Sequence, residues 1–152
     1  MVISFCGHAD YLEEAWHEEL LLSVFEEVIG QKSAELLLGD YGAFDRFALR
    51  CGGKYKRAHP NVTLAFVTPY CSDDYCKRRI EYSKNTYDAI LYPGLENIPP
   101  RYAISRRNRY MMEAADTVIA YVKRPYGGAY SAYRYAIGRG KRIINLALRP
   151  KP

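Results

Sequence analysis

The sequence predicts a single α/β domain of three layers, in which helices cover both faces of a mainly parallel sheet of about five or six strands. Two observations predict it. Short apolar segments alternate with segments of helical apolar spacing along the whole chain, and glycine follows four of the first five predicted strands. The chain of 152 residues is long enough for one hydrophobic core and short for two, so we predict one domain over residues 1–152.

The first half of the chain predicts three strands and the two helices that connect them. Apolar segments predict strands at residues 2–6, 34–38 and 62–67. Apolar side chains at helical spacing, with glutamates between them, predict a first helix over residues 11–29, and Asp10 is placed to cap it. A second helix is predicted from residue 43 to about residue 56, after a glycine turn.

The second half predicts three more helices and three more strands. The pattern predicts a short charged helix at 73–83, a strand at 88–91, a loop at 95–102 and a helix from about 104 to 115. A buried strand at 117–122, a turn at Gly127-Gly128, a further helix and a last strand at 142–146 complete the alternation. Strict alternation of strands and helices favours parallel strands joined by right-handed crossovers.

The turn at Gly127-Gly128 is the strongest indication of function. A glycine turn from a strand into a helix exposes backbone N–H groups at the positive end of the helix, where proteins commonly bind phosphate. In a parallel sheet, ligands collect at the carboxyl ends of the strands, so the residues that follow all strands are expected to share one site. The sequence therefore predicts an anion-binding edge.

Composition limits the class of protein and of partner. The net charge of +5 suits an anionic partner, but acidic segments interrupt the basic clusters, so a phosphorylated small molecule fits as well as nucleic acid. No apolar run approaches the roughly 18 residues that span a bilayer, so we expect a cytoplasmic protein without membrane contact. We expect its four cysteines to be reduced, and no metal or cofactor.

Two glycine motifs resemble those of a known superfamily. The first is Gly39-x-x-Gly42-x-x-Asp45 at a strand-to-helix turn. The second combines Arg107-Asn108 on a helix with a following strand and Gly127-Gly128-x-x-Ser131. In order and spacing they resemble the SLOG superfamily, which includes DprA and the LOG phosphoribohydrolases, and most of all its small stand-alone YpsA-like branch. The resemblance implies a Rossmann-like sheet, a nucleotide or nucleotide-derived ligand and, frequently, a homodimer.

The resemblance and the strand ends together predict the ligand-binding residues. Phosphate is expected on Gly42, Gly127, Gly128 and Ser131, with the guanidinium of Arg106 or Arg107 beside it through two parallel hydrogen bonds. We expect Asp45 to support the site or the start of its helix rather than to act as a base. Two or three of the tyrosines at strand ends are expected to stack on a base. The full predicted set is Gly7, His8, Gly39, Gly42, Asp45, Tyr92, Arg106, Arg107, Asn108, Gly127, Gly128 and Ser131.

Catalysis is expected to be absent or slight. The LOG enzymes carry P-G-G-x-G-T-x-x-E, and alignment of Gly127-Gly128 with that motif places Tyr133 and Arg134 where its acidic residue would lie. Cleavage of an N-glycosidic bond needs a carboxylate to stabilise the developing positive charge on the sugar. The weak candidates for a substitute carboxylate are Glu96, on the predicted loop, and Glu113, on the predicted helix.

Three functional hypotheses follow from the sequence. The leading one is a small nucleotide-binding or nucleotide-sensing protein that recognises a phosphorylated nucleoside or a derivative. The alternative is a LOG-like nucleoside 5′-monophosphate phosphoribohydrolase or a nucleoside-transferring N-glycosidase. The second alternative is a DprA-like protein that interacts with nucleic acid through its basic clusters.

Overall fold

Six parallel strands form one sheet in the computed structural model, which describes residues 1–151. The strands are β1 (Val2–Gly7), β2 (Ala34–Leu38), β3 (Val62–Val67), β4 (Ala89–Leu91), β5 (Thr117–Tyr121) and β6 (Arg142–Asn145). Their order across the sheet is β4-β3-β2-β1-β5-β6, and every neighbouring pair is parallel. The predicted fold class is confirmed.

Helices connect the strands. They are α1 (His17–Val28), α2 (Ala43–Ala58), α3 (Asp73–Tyr75), a π-helical turn (Cys76–Ile80), α4 (Glu81–Ser83), α5 (Pro100–Ala114) and α6 (Gly128–Gly138), followed by a 3₁₀ turn (Leu146–Leu148). Within residues 1–151, no helix combines the length and apolar character needed to cross a membrane.

The sheet separates two hydrophobic cores. On one face, α1 and α2 pack through side chains such as Phe25 and Phe47 against the alternate strand positions of Phe5 and Leu36. On the other face, α5 and α6 pack against the opposite positions. β5 is buried at all five of its residues, which is expected of a parallel strand covered on both sides. These are the three predicted layers.

Two predicted boundaries were wrong. α1 begins at His17, not at residue 11, and Asp10 does not cap it: Asp10 binds Arg124, and the residues between fold as a loop held by Tyr11. Both ends of the predicted helix over residues 73–83 are confirmed, and the π-helical turn lies within this continuous helical segment. α5 begins at Pro100 inside the predicted loop, because proline is compatible with the first turn of a helix.

The strand order reverses between β1 and β5. From β1 the chain proceeds outward through β2, β3 and β4, and it then returns to the other side of β1 to form β5 and β6. The connections leave β1 and β5 in opposite directions, which opens a crevice beyond their carboxyl ends. The site described next lies in this crevice.

Candidate functional site

A cavity of about 460 Å³ occupies the crevice, a volume typical of sites for small ligands. We call it the switch-point cavity. Its wall comes from the carboxyl ends of β1 and β2, the start of α2, the inner side of α5 and the turn that leads into α6. The lining residues include Gly7, His8, Asp10, Gly39, Tyr41, Asp45, Ile104, Arg107, Asn108, Met111, Arg124, Tyr126, Gly127, Gly128 and Ala129.

The N-terminus of α6 opens into this cavity without a side-chain cap. Gly127 precedes the helix with φ 88°, a conformation that favours glycine, and its carbonyl accepts the Ser131 N–H at 3.0 Å. The N–H groups of Gly128, Ala129 and Tyr130 have no acceptor within residues 1–151. A Cβ atom on Gly127 or Gly128 would contact nothing within 4 Å, so the space beside these donors is open.

Arg107 is buried and braces α5 against the sheet. Its Nη1 donates to the carbonyl oxygens of Gly39 at 2.8 Å and Val67 at 2.7 Å, at the ends of β2 and β3. Its Nε donates to Oδ1 of Asn108 at 2.9 Å. Only Nη2 remains without a partner within residues 1–151, so this arrangement offers a ligand one guanidinium nitrogen and not the two parallel bonds expected from the sequence.

Asn108 supplies a further donor to the cavity. Because its Oδ1 accepts from Arg107 Nε, the orientation of its amide is defined, and its Nδ2 has no acceptor within the described residues. One cavity is lined by four residues that carry these donors: Arg107, Asn108, Gly128 and Ala129. The set is suited to an oxyanion with several acceptor oxygens, such as phosphate.

Asp45 places a carboxyl group in the same cavity. It is half-buried, and its Oδ2 accepts the Tyr41 N–H at 2.9 Å. Desolvation by the surrounding protein raises the pKa of Asp45 to about 6, against the lowering effects of the Tyr41 hydrogen bond and the Arg107 charge. The folded state therefore holds this proton more tightly than the unfolded chain does. This contribution to stability is present below pH 4 and is lost as the pH rises through about 6.

His8 and Asp10 hold the turn that leads into α6. Nε2 of His8 accepts the backbone N–H groups of Lys123 at 3.0 Å and Arg124 at 3.3 Å, which places the proton of the neutral imidazole on Nδ1. Burial and then the charge of Arg124 lower the pKa of His8. Asp10 accepts two hydrogen bonds from the Arg124 guanidinium, at 2.8 and 2.6 Å. Both residues therefore fix the position of the turn that precedes α6.

The structure brings most of the predicted residues together. Eight of the twelve line the switch-point cavity: Gly7, His8, Gly39, Asp45, Arg107, Asn108, Gly127 and Gly128. Tyr92, Arg106 and Ser131 do not line it, and Arg106 and Ser131 are exposed on α5 and α6.

Gly42 is required for packing. It precedes α2 with φ 111°, and a Cβ atom there would lie 2.8 Å from the Cα of Ala9. The adjacent Ala43 N–H donates to the Ala9 carbonyl at 2.9 Å, so the start of α2 lies directly against the loop after β1. The two glycine motifs therefore have different structural roles. Gly42 permits the close approach of two backbone segments, whereas Gly127 and Gly128 leave space open beside the N-terminus of α6.

The two carboxylates proposed from the sequence lie elsewhere. Glu113 accepts hydrogen bonds from the Tyr135 hydroxyl and from Arg139 on the exposed side of α5 and α6. Glu96 is exposed near Gly94 and does not line the cavity. Sequence reasoning included Asp45 in the site in a supporting role, and its carboxyl group lines the cavity. It missed the Asp10–Arg124 pair, whose members are too far apart in sequence to suggest contact.

A second cavity of about 510 Å³ adjoins the first. Gly39 and Tyr41 border both, and Tyr70, Tyr75 and Arg46 line only the second. Tyr41 and Tyr126 are 63% and 64% exposed at the switch-point cavity, and the Arg124 guanidinium lies over one face of the Tyr126 ring, 5.5 Å from its centroid. The Tyr41 ring and the other face of the Tyr126 ring are therefore accessible for stacking. Within residues 1–151, no group of three or more His, Cys, Asp or Glu side chains is arranged to hold a metal ion.

The fold is similar to that of DNA processing protein A, DprA. The structure of DprA from Helicobacter pylori, reported for its single-stranded DNA binding mode, superposes with a TM-score of 0.62 at 16% identity, over 94% of this chain and 63% of that one. DprA from Streptococcus pneumoniae gives a TM-score of 0.62 at 14% identity, over 93% of this chain and 48% of that one.

This chain thus spans about half to two thirds of the length of these two DprA chains. Comparison with protein-family models and with curated proteins gives no match. At such low identity the likeness concerns the fold. It confirms the fold expected from the SLOG resemblance.

Proposed function

We propose that this protein is a small SLOG-type nucleotide-binding protein, related to the YpsA-like branch, that recognises a 5′-phosphorylated nucleoside or a derivative in the switch-point cavity. The observation that carries the proposal is the uncapped N-terminus of α6. Three of its N–H groups have no acceptor within residues 1–151, and two of the residues that carry them, Gly128 and Ala129, line the cavity. A phosphate dianion there accepts hydrogen bonds from these groups and interacts favourably with the helix dipole. Asn108 and Arg107 add donors on the opposite wall.

The base and ribose occupy the remaining length of the cavity. Apolar side chains of Ile104 and Met111 line it on the α5 side, and the exposed rings of Tyr41 and Tyr126 border its mouth. Stacking on an aromatic ring is worth roughly 1–3 kcal/mol per base and is tolerant of base identity. We infer a ligand whose phosphate determines the affinity and whose base is held by stacking.

Calorimetry with matched ligands tests the proposal. Adenosine, guanosine, cytidine and uridine are titrated beside their 5′-monophosphates at pH 7.5, where Asp45 is ionised. We expect at least one monophosphate to bind, and to bind at least about tenfold more tightly than its nucleoside, since one charged hydrogen bond is worth about 1.5–3 kcal/mol. Absence of binding by all four monophosphates, or equal affinity for nucleoside and monophosphate, contradicts the proposal.

A second candidate function is binding of single-stranded DNA, favoured by the exposed side of α5 and α6. Four exposed arginines on these two helices have no carboxylate partner within residues 1–151: Arg101, Arg106, Arg109 and Arg134. The DprA of H. pylori, a structural neighbour, binds single-stranded DNA. The test is fluorescence anisotropy of a labelled oligonucleotide across a salt series, with these four arginines replaced by glutamine as the comparison. Affinity that falls steeply with salt and is lost in this variant favours the second candidate.

The cytoplasmic location and the homodimer implied by the resemblance belong to the proposal. Sedimentation equilibrium over a range of concentrations measures the dimer directly, and a single monomeric mass at all concentrations contradicts it.

A further inference from the structure

Two thiols lie in contact at the surface, outside the switch-point cavity. Cys71 follows β3 and is exposed, Cys76 begins the π-helical turn and is partly exposed, and their Sγ atoms are 3.8 Å apart. Between them, the Ser72 hydroxyl accepts the Tyr75 N–H at the start of α3. The two cysteines therefore flank a turn that Ser72 caps.

The other two cysteines differ from this pair in location, burial and the pKa of the thiol. Cys6 lies in the α5–α6 core and Cys51 in the α1–α2 core, and both are buried. Burial raises the pKa of each of these thiols to about 12. They are neither accessible nor ionised near neutral pH, so they serve as internal controls.

We propose that Cys71 and Cys76 form a site of reversible covalent modification, at which a peroxide produces an intramolecular disulfide and a small dithiol reverses it. The more exposed Cys71 loses its proton, its sulfur attacks one peroxide oxygen, and the O–O bond breaks to give a sulfenic acid and water. The Cys76 sulfur then attacks the sulfenic sulfur, the S–O bond breaks, and the proton of Cys76 leaves in a second water. Two electrons pass from the two thiols to the peroxide.

The bond requires only a local movement. The sulfur atoms must approach by about 2 Å to reach disulfide length, which side-chain rotation and a small shift of the short α3 supply. The resulting ring joins the loop after β3 to the π-helical turn. It thereby holds Tyr70 and Tyr75, whose rings contact each other at 5.3 Å between centroids and line the second cavity.

The experiment uses the tryptic peptides of the whole protein. Cleavage after Arg57 and Lys77 places Cys71 and Cys76 in one peptide, residues 58–77, while Cys6 and Cys51 fall in two others. The folded protein is treated with hydrogen peroxide under conditions that oxidise free glutathione, and it is then alkylated and digested with trypsin. The masses of the peptides are measured by mass spectrometry. Cys71→Ser is the matched variant, because it removes one sulfur from an exposed position.

We expect peptide 58–77 to lose the mass of two hydrogen atoms and both alkylation sites, and to regain the sites after dithiothreitol. The extent of oxidation should not depend on protein concentration, since the reaction is within one molecule. Cys6 and Cys51 should stay reduced and should react with the alkylating reagent only after the protein is unfolded. Cys71→Ser should form no intramolecular disulfide. Two free thiols in oxidised peptide 58–77, a cross-link between molecules, or separate sulfinic acids at the two positions would each overturn the proposal.

Discussion

Aspartate in place of Gly128 separates phosphate binding from the stability of the fold. Gly128 is the first residue of α6, its φ is not positive, and a Cβ atom there contacts nothing within 4 Å. A carboxylate at the first turn interacts favourably with the helix dipole, by about 0.3–1 kcal/mol. We therefore expect Gly128→Asp to fold, with an unfolding free energy equal to or slightly above that of the native protein.

The same substitution should abolish the preference for phosphate. Two unit charges about 4 Å apart repel by about 1 kcal/mol in water and by about 4 kcal/mol at an effective dielectric constant of about 20. A phosphate at the α6 N-terminus carries up to about two charges, so the cost is at least about 1.4 kcal/mol, or tenfold in affinity. The affinity for the matching nucleoside, which lacks the charge, should change little.

Calorimetry of a nucleoside monophosphate and its nucleoside, with Gly128→Asp and Gly128→Asn, measures this effect. The asparagine variant has the same shape without the charge and should retain most of the affinity. Urea denaturation of both variants checks that the fold is intact. Equal weakening in Gly128→Asp and Gly128→Asn, or unchanged monophosphate affinity in Gly128→Asp, would refute the placement of phosphate at α6.

Four further outcomes are expected. Gly42→Ala should lower the unfolding free energy by about 1–3 kcal/mol in urea denaturation, because its positive φ and close approach to Ala9 exclude a side chain; a change below about 0.5 kcal/mol would contradict the packing role. Arg107→Ala should cost about 2–5 kcal/mol, since two carbonyl groups lose their buried donor, whereas the neighbouring exposed Arg106→Ala should stay within about 0.5 kcal/mol. Equal losses of unfolding free energy in Arg107→Ala and Arg106→Ala would contradict a stabilising role of the Arg107 hydrogen bonds.

The unfolding free energy of Asp45→Asn, relative to that of the native protein, should increase by about 3 kcal/mol from pH 4 to pH 7. The reason is that the raised pKa of about 6 makes ionisation of Asp45 costly only in the folded state. A difference independent of pH would contradict this. Finally, chromatography should detect no free base released from the four nucleoside monophosphates. Turnover that disappears in Asp45→Asn would instead assign the phosphoribohydrolase activity, with Asp45 as its carboxylate.

The fold was predictable because its signals are local. The buried segments 34–38 and 62–67 matched the observed strands at both ends, and the glycine turn before α6 lies where the pattern predicted it. The start of α1 was not predictable in the same way. A long-range contact of Asp10 with Arg124 and a local hydrogen bond of Tyr11 with His17 hold residues 8–16 in a loop, and these contacts override the helical spacing of the apolar side chains.

The location of the site in the fold was predictable from the sequence, but the roles of its individual residues were less predictable. The carboxyl ends of parallel strands had to meet, which is why Gly7, Gly39 and Gly127 border one cavity. The pairing of Arg107 with backbone carbonyls of two strands depends on the rotation of α5 about its axis, which helical spacing does not determine between Arg106 and Arg107.

The proposed function depends most directly on the binding of phosphate at the start of α6. Two-dimensional ¹⁵N–¹H NMR spectra, recorded while a nucleoside 5′-monophosphate is titrated, report every backbone N–H at once. We predict that the N–H signals of Gly128, Ala129 and Tyr130 shift most, and that the matching nucleoside leaves them nearly unchanged. Shifts confined to the exposed side of α5, or no shifts with any of the four monophosphates, would contradict the account.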